Sequence, residues 1–292
     1  MSALPKSRIP VTKTPKVYIG GAFVRSESAR TYKVSDRSGA FFANMPQCTR
    51  KDLRNAVEAA AKAGPGWARR TPYNRAQILY RLAEMLEARS GELVSSLVQF
   101  GARRADAEKG MAVGVDRLIH YAGWADKYAQ LLGSVNPVSS AHFNFTVPEP
   151  MGVVGVIAPD SPPLLGLLSM VAPVIASGNT VVALASESVP YPAVLLGEML
   201  ATSDLPGGVV NLLTGFRREL VPTFATHAHI RAIYASAGPE DRKALRLGAA
   251  ASVKRVRFAD AEGSGWFADS AQGLERIGDF VELKTTWHPI GS

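Results

Sequence analysis

Apolar positions in the second half of the chain fall in short solid runs separated by longer periodic stretches. The runs Val153–Ile157, Thr180–Leu184, Val209–Leu213 and Ile230–Ala235 are rich in apolar residues, and Val253–Phe258 is a further strand in the same spacing. Short continuous runs of this kind fit strands buried on both faces. Between them lie helical stretches at about Pro163–Ala176, Pro192–Thr202, Arg217–Ala225 and Glu240–Ala250. Strands and helices alternating at this spacing predict an α/β fold with a doubly wound, Rossmann-like parallel sheet. Such sheets bind ligands at the carboxyl ends of their strands.

The first half has a different texture. Val17–Ile19 and Ala22–Val24 flank Gly20-Gly21, which predicts a hairpin with a two-residue turn. A third short strand is expected at "RTYKVSD". Thr49 and Asp52 have capping-box spacing, and Leu53, Ala56, Val57 and Ala60 follow at helical intervals until Gly64, which is expected to stop the helix. Thr71 and Pro72 open a second helix with the stripe Ile78, Leu79, Leu82, Met85 and Leu86. One further helix is predicted over about Ala105–Leu131. His142–Val147 then alternates like a strand, and Pro148-Glu149-Pro150 predicts a bend. Near the end, Phe280–Trp287 reads as a lone strand that must pair with this chain or with another subunit.

Composition changes this picture little. Apolar residues make up 47% and charged residues 20%, as in an ordinary globular protein. No stretch has the roughly eighteen apolar residues that suggest a membrane span, so no membrane partner is expected. The start, "MSALPKSRIPVTKTPK", has no apolar core of a signal peptide and reads as a flexible arm. The single cysteine excludes an internal disulfide and fits a cytoplasmic setting. The net charge of +8 is accompanied by no nucleic-acid motif, so no specific nucleic acid is expected.

Candidate chemistry is sparse. Cys48 precedes a helix start beside Arg50 and Lys51, but no histidine is near in sequence to act as its base. His227 and His229 have the spacing of two ligands on a strand, without a carboxylate or cysteine companion. There is no Gly-x-Ser-x-Gly elbow, no Gly-x-Gly-x-x-Gly fingerprint and no P-loop. "LLTGFRREL" joins a strand to a helix, where a pyrophosphate can meet a helix N-terminus. After Gly215, however, Phe216, Arg217 and Arg218 prevent close backbone approach, which leaves the charge of the arginines as the means of binding an anion.

Six blocks then carry a resemblance: "VYIGGAFVRS", "GPGWARRTPYNRAQILYRLAEMLE", "IHYAGWADK", "PEPMGVVGVIAP", "APVIASGNTVVALASE" and "LPGGVVNLLTG". In order and spacing they resemble the NAD(P)-dependent aldehyde dehydrogenase superfamily, from Val17 to about Ile233. "LERIGDFVELKTTWHP" resembles that family's C-terminal oligomerisation strand. The resemblance implies residues 17–136 as the hairpin and helical part of a cofactor-type domain and 137–152 as an oligomerisation hairpin. It implies 153–258 as the Rossmann-like part and 259–292 as a linker with the oligomerisation strand, after an arm over 1–16.

The departures from the family are specific. The family places a catalytic domain, with its cysteine nucleophile, where this chain has about twenty residues after Phe258. The glutamate general base has no counterpart. The family's Pro-Trp-Asn corresponds to Pro159-Asp160-Ser161, its Lys-Pro-Ser-Glu to Leu184-Ala185-Ser186-Glu187, and its Gly-Ser pair to Ala237-Gly238. The resemblance therefore implies vestigial cofactor-binding positions at Pro159, Ser161, Ser186, Glu187 and Gly215, with no catalytic residue and no metal. It implies no cofactor or weak NAD(P) binding. The expected function is a non-catalytic subunit forming a homo-oligomer, or a hetero-oligomer with a full-length aldehyde dehydrogenase. The alternative is an NAD(P)-dependent oxidoreductase whose catalytic groups come from a partner chain.

Overall fold

The structure is a computed structural model that describes residues 13–259 and 262–291; most of the expected N-terminal arm, residues 1–12, lies outside the described residues. The N-terminal part comprises β1 (Val17–Ile19), β2 (Ala22–Val24), β3 (Thr31–Ser35), β4 (Phe41–Pro46), α1 (Arg50–Ala68), α2 (Pro72–Ala88), α3 (Ser90–Gln99), α4 (Arg104–Trp124) and α5 (Tyr128–Leu132). Then follow β5 (Ser134–Asn136), β6 (His142–Pro150), β7 (Val153–Ile157), α6 (Pro163–Ala176), β8 (Thr180–Leu184), α7 (Tyr191–Leu200) and β9 (Val210–Leu213). The last elements are α8 (Arg217–Thr226), β10 (Ile230–Ala235), α9 (Pro239–Ala250), β11 (Arg255–Phe258), α10 (Leu274–Gly278) and β12 (Val281–Pro289).

The main sheet has the order β11-β10-β7-β8-β9-β1-β2. Its strands are parallel from β11 to β9, and the N-terminal hairpin adds the antiparallel edge. Alternate side chains explain why both faces are covered. Val154, Val156, Val181 and Ala183 pack with α6, α2 and α4, while Val153, Ile157, Val182 and Leu184 pack with α1 and α8. The helix α6 is buried along nearly its whole length, as its unbroken apolar sequence requires.

Three expectations need correction. The first helix does not stop at Gly64 but continues through Pro65 to Ala68. Trp67 is 1% exposed and donates its indole N–H to the Ile175 carbonyl at 3.0 Å, so tertiary anchoring overrides the local breakers. The predicted helix Ala105–Leu131 is divided into α4 and α5. Pro148-Glu149-Pro150 is not a bend: β6 continues through it, paired with β12 as far as Val281 opposite Pro150. On its other side β6 is paired only at residues 144–146, so prolines beyond that point face an open flank. β6 folds back antiparallel on β5, which precedes it in sequence, and β7 belongs to the main sheet.

The lone C-terminal strand finds its partner in this chain. β12 pairs with β6 over nine positions in a separate sheet ordered β12-β6-β5. The connection leading to it is clamped to the body by Arg117, which is 1% exposed. Its guanidinium donates to the carbonyls of Ala271 (2.6 Å), Trp266 (2.8 Å) and Ala268 (2.7 Å). Burial lowers the Arg117 pKa, so carbonyl oxygens rather than a paired carboxylate offset the desolvated charge. Phe280, fully buried against Tyr234, and the Asn179 amide, which donates to the Phe280 carbonyl at 2.7 Å, fix the entry to β12.

Arg117→Met is expected to lower unfolding free energy by about 2–4 kcal/mol, because three buried carbonyls lose a charged donor. Chemical denaturation monitored by tryptophan fluorescence measures this; a loss under about 0.5 kcal/mol contradicts the clamp.

Candidate functional site at the carboxyl end of the sheet

The carboxyl ends of β7, β8, β9 and β10 meet where the fold class places a ligand. Here they meet in a closed polar network. Asp160 Oδ1 accepts from the Ser186 hydroxyl at 2.8 Å, the Glu187 amide at 2.8 Å and the Ser188 amide at 3.2 Å. Its other oxygen lies 3.4 Å from the Arg217 guanidinium. Arg217 also donates to the Ala158 carbonyl at 2.6 Å and the Ser236 carbonyl at 3.1 Å. One side chain thus ties the ends of β7 and β10 to the start of α8. Glu187 completes the network: its Oε2 accepts from the Arg217 amide at 2.7 Å.

That last bond has a consequence for ligands. The first amides of α8 lack partners within the helix, and Phe216 at the N-cap has no side chain to satisfy them. The Glu187 carboxylate satisfies the first of them, the Arg217 amide, and also complements the positive helix end. An incoming phosphate has to displace it. Burial alone raises the Asp160 pKa, but Arg217, the Ser186 hydroxyl and the amides of Ser188 and Glu187 reverse this and hold the carboxyl below its usual range.

The five expected positions divide. Ser186 and Glu187 belong to the network, and Gly215 immediately precedes its helix. Gly215 has φ +143°, and a Cβ there would stand 3.2 Å from the Cys48 amide nitrogen. The positive φ and the tight approach of the Cys48 backbone together favour glycine here without any ligand. Pro159 is buried against Gly166, whose hypothetical Cβ would strike its ring. Ser161 faces a different cleft of about 510 Å³, lined by Leu97, Lys109, Leu165 and Phe267. In the sequence Asp160 stands out only as a departure from the family, and Arg217 only as a bulky cation after Gly215. The signal that identifies them is the pair of opposite charges placed just after two strands of one parallel sheet.

The other candidates are structural. Cys48 is fully buried, and burial, assisted by the Asp52 charge, pushes its thiol up to about 12. Such a thiol is not a nucleophile near neutral pH. His227 and His229 have ring centres 6.1 Å apart, and no group of three His, Cys, Asp or Glu residues suited to a metal occurs among the described residues. No helix among them is long and apolar enough to cross a membrane.

Two outcomes follow. Asp160→Asn is expected to cost about 1 kcal/mol at neutral pH, because a partly exposed carboxylate is screened by solvent. The folded-state pKa is depressed, so the wild-type advantage is complete above about pH 4, the unfolded value, and is lost as pH falls through the folded value. Thermal melts of both chains across acidic pH measure the gap; a gap that widens on acidification contradicts the assignment. Cys48 is expected to resist iodoacetamide in the native protein and to react on unfolding, as read by intact mass. Rapid native labelling contradicts its burial.

Comparison with known proteins agrees with this architecture. The model of the aldehyde dehydrogenase family matches residues 23–259. The chain is 34% identical to 2-hydroxymuconic semialdehyde dehydrogenase of Pseudomonas sp. (strain CF600) over 258 residues, covering 84% of this chain and 52% of that protein. It is 33% identical to the mitochondrial aldehyde dehydrogenase family 2 member B4 of Arabidopsis thaliana over 245 residues, covering 81% of this chain and 44% of the relative. Among solved structures, the NAD+ complex of aldehyde dehydrogenase from Bacillus cereus superposes with a TM-score of 0.81 at 26% identity, over 85% of this chain and 51% of that one. The chain spans about half the length of the curated relatives it matches. A seven-stranded, mainly parallel sheet, a family match across most of the chain and relatives above 30% identity lead to one assignment: this chain belongs to the aldehyde dehydrogenase family.

Proposed function

We propose that this chain is a non-catalytic family member, a subunit that assembles with itself or with a full-length aldehyde dehydrogenase. The observation that carries the reading is the Asp160–Arg217–Glu187 network. Asp160, Glu187 and the terminal nitrogens of Arg217 at the ligand end of the sheet bond within the chain, and the Arg217 amide at the helix end that would meet a pyrophosphate is capped by Glu187, while Arg217 Nε stays buried without a partner. A dinucleotide has to break these bonds before it gains any. The one thiol of the chain is buried and protonated.

The route of assembly is the three-stranded sheet. Phe143 (46% exposed), Val147 (39%) and Val135 (67%) share one of its faces, and Leu283 (60%) and Trp287 (57%) share the other. The outer edge of β12 has no partner strand among the described residues. A small sheet with apolar side chains on both faces and an open edge is poorly suited to water alone. A second subunit would cover it.

Size-exclusion chromatography with light scattering tests this. The wild type is expected to elute as an oligomer, or to co-purify with a co-expressed full-length aldehyde dehydrogenase. The double variant Phe143→Asp/Val147→Asp is expected to elute as a folded monomer with an unchanged circular dichroism spectrum. A wild type that is monomeric and captures no such relative overturns the assembly; aldehyde oxidation by the isolated chain overturns the non-catalytic assignment.

A further inference from the structure

The amino ends of the parallel strands carry a cleft of their own, at the end of the sheet opposite the Asp160–Arg217–Glu187 network. Its volume is about 290 Å³, and its walls include Ala61, Gly64 and Ala68 of α1, Met151 before β7, and His229 and Arg231 at the start of β10. Two local departures from regular structure shape it. β10 pairs with β7 through Ile230 opposite Val153 and Ala232 opposite Val154, so Arg231 is an extra residue with no partner on β7. Such a bulge is rare between parallel strands and re-aims the side chain it carries. The Arg231 stem then runs past Gly152, which has φ +118° and where a Cβ would stand 3.6 Å from Arg231 Cγ. On the facing wall α1 presents only small residues. A Cβ on Gly64 would meet nothing closer than Thr180 at 3.9 Å, so the space between helix and strand starts stays open.

The charge at this cleft is one-sided. Arg231 has no hydrogen bond or ion pair from its side chain among the described residues, and no carboxylate lines the cleft. The elements that form it carry three carboxylates, Asp52, Glu58 and Glu149, and each is engaged elsewhere. Asp52, in the first turn of α1, accepts from Ser26 and the Thr49 amide. Glu58 pairs with Arg54 at 3.5 Å, and Glu149 with Lys284 at 2.6 Å. Glu282 stands opposite Glu149 on β12 and acts on the same Lys284. Lys62 of α1 has no carboxylate partner among the described residues and adds to the positive side.

We infer that this cleft binds a short-chain monocarboxylate. The planar fork of Arg231 matches the two oxygens of a carboxylate, and the His229 ring offers one further N–H. Ala61, Ala68 and Met151 give apolar walls to a short alkyl chain. One guanidinium balances one negative charge, whereas a phosphate dianion would bring a second charge against apolar walls. The volume is on the scale of a small ligand. The inference rests on the strand starts and α1 alone, and it stands whether or not the chain assembles.

Calorimetric titration of the full chain at low salt tests it, with butyrate, acetate and inorganic phosphate as probes. Saturable one-to-one binding of butyrate is expected, with acetate about tenfold weaker because it buries two methylenes fewer. Arg231→Gln is expected to weaken butyrate binding by about tenfold, the scale of one charge-assisted hydrogen bond. Ala61→Leu, which fills the apolar wall and leaves the charge untouched, is expected to weaken it as well. Both positions are exposed, and melting curves of the variants establish that they fold. Absence of saturable heat with butyrate, acetate or phosphate binding as tightly as butyrate, or affinity that either variant leaves unchanged overturns the site.

Discussion

The carboxyl end of the parallel sheet is governed by where the Arg217 guanidinium goes. It reaches across the strand ends to the carbonyls of Ala158 and Ser236 and sits beside Asp160. In an open doubly wound sheet that position is the natural ligand crevice. Filling it with a cation of this chain has ordered consequences. Asp160 must be charged to oppose Arg217, and its remaining capacity then organises the turn at Ser186–Ser188. Glu187 is thereby directed onto the amide of Arg217 itself. Strand ends, turn and helix start form one hydrogen-bonded unit. The same groups arranged without Arg217 would leave carbonyl and amide groups facing solvent, where a ligand can use them.

The C-terminal segment obeys a related logic. β12 lies next to β6 only because the chain between β11 and β12 is held tightly on its way there. Arg117 supplies that hold by giving buried carbonyls a charged donor, and Trp266 and Phe280 bury the apolar surface of the crossing. The body thus keeps a compact core without any further folded unit between the two strands. The result is a globular part satisfied internally and a protruding sheet that is not. The division is the one that the proposed non-catalytic, assembling subunit requires.

Much of this was legible in the sequence. The strands β7, β8 and β10 and the helix α6 lie where the apolar runs place them, because strands buried on both faces carry a signal that tertiary context cannot alter. The tight hairpin of β1 and β2 follows from Gly20-Gly21 in the same way. The failures have physical causes. Gly64 and Pro65 are local breakers, yet Trp67 anchors the helix through them. Pro148 and Pro150 disfavour helix, but they do not prevent a strand whose flank is open. The site was legible only in part. Ser186 and Glu187, singled out in the sequence as vestigial cofactor-binding positions, lie in the network, whereas the roles of Asp160 and Arg217 depend on two strand ends meeting in space, which no local pattern encodes. Ser161 shows the converse, since adjacency to Asp160 in sequence does not bring it into the network.

The central claim is that the network stands where a dinucleotide would otherwise bind. The direct measurement is calorimetric titration of NAD+ into the wild-type chain beside inorganic pyrophosphate. The account expects NAD+ to bind no more tightly than pyrophosphate alone, because the ribose and pyrophosphate contacts at the sheet end are already taken. NAD+ binding more than about tenfold tighter than pyrophosphate, a gain of about 1.4 kcal/mol from the rest of the dinucleotide, would contradict it.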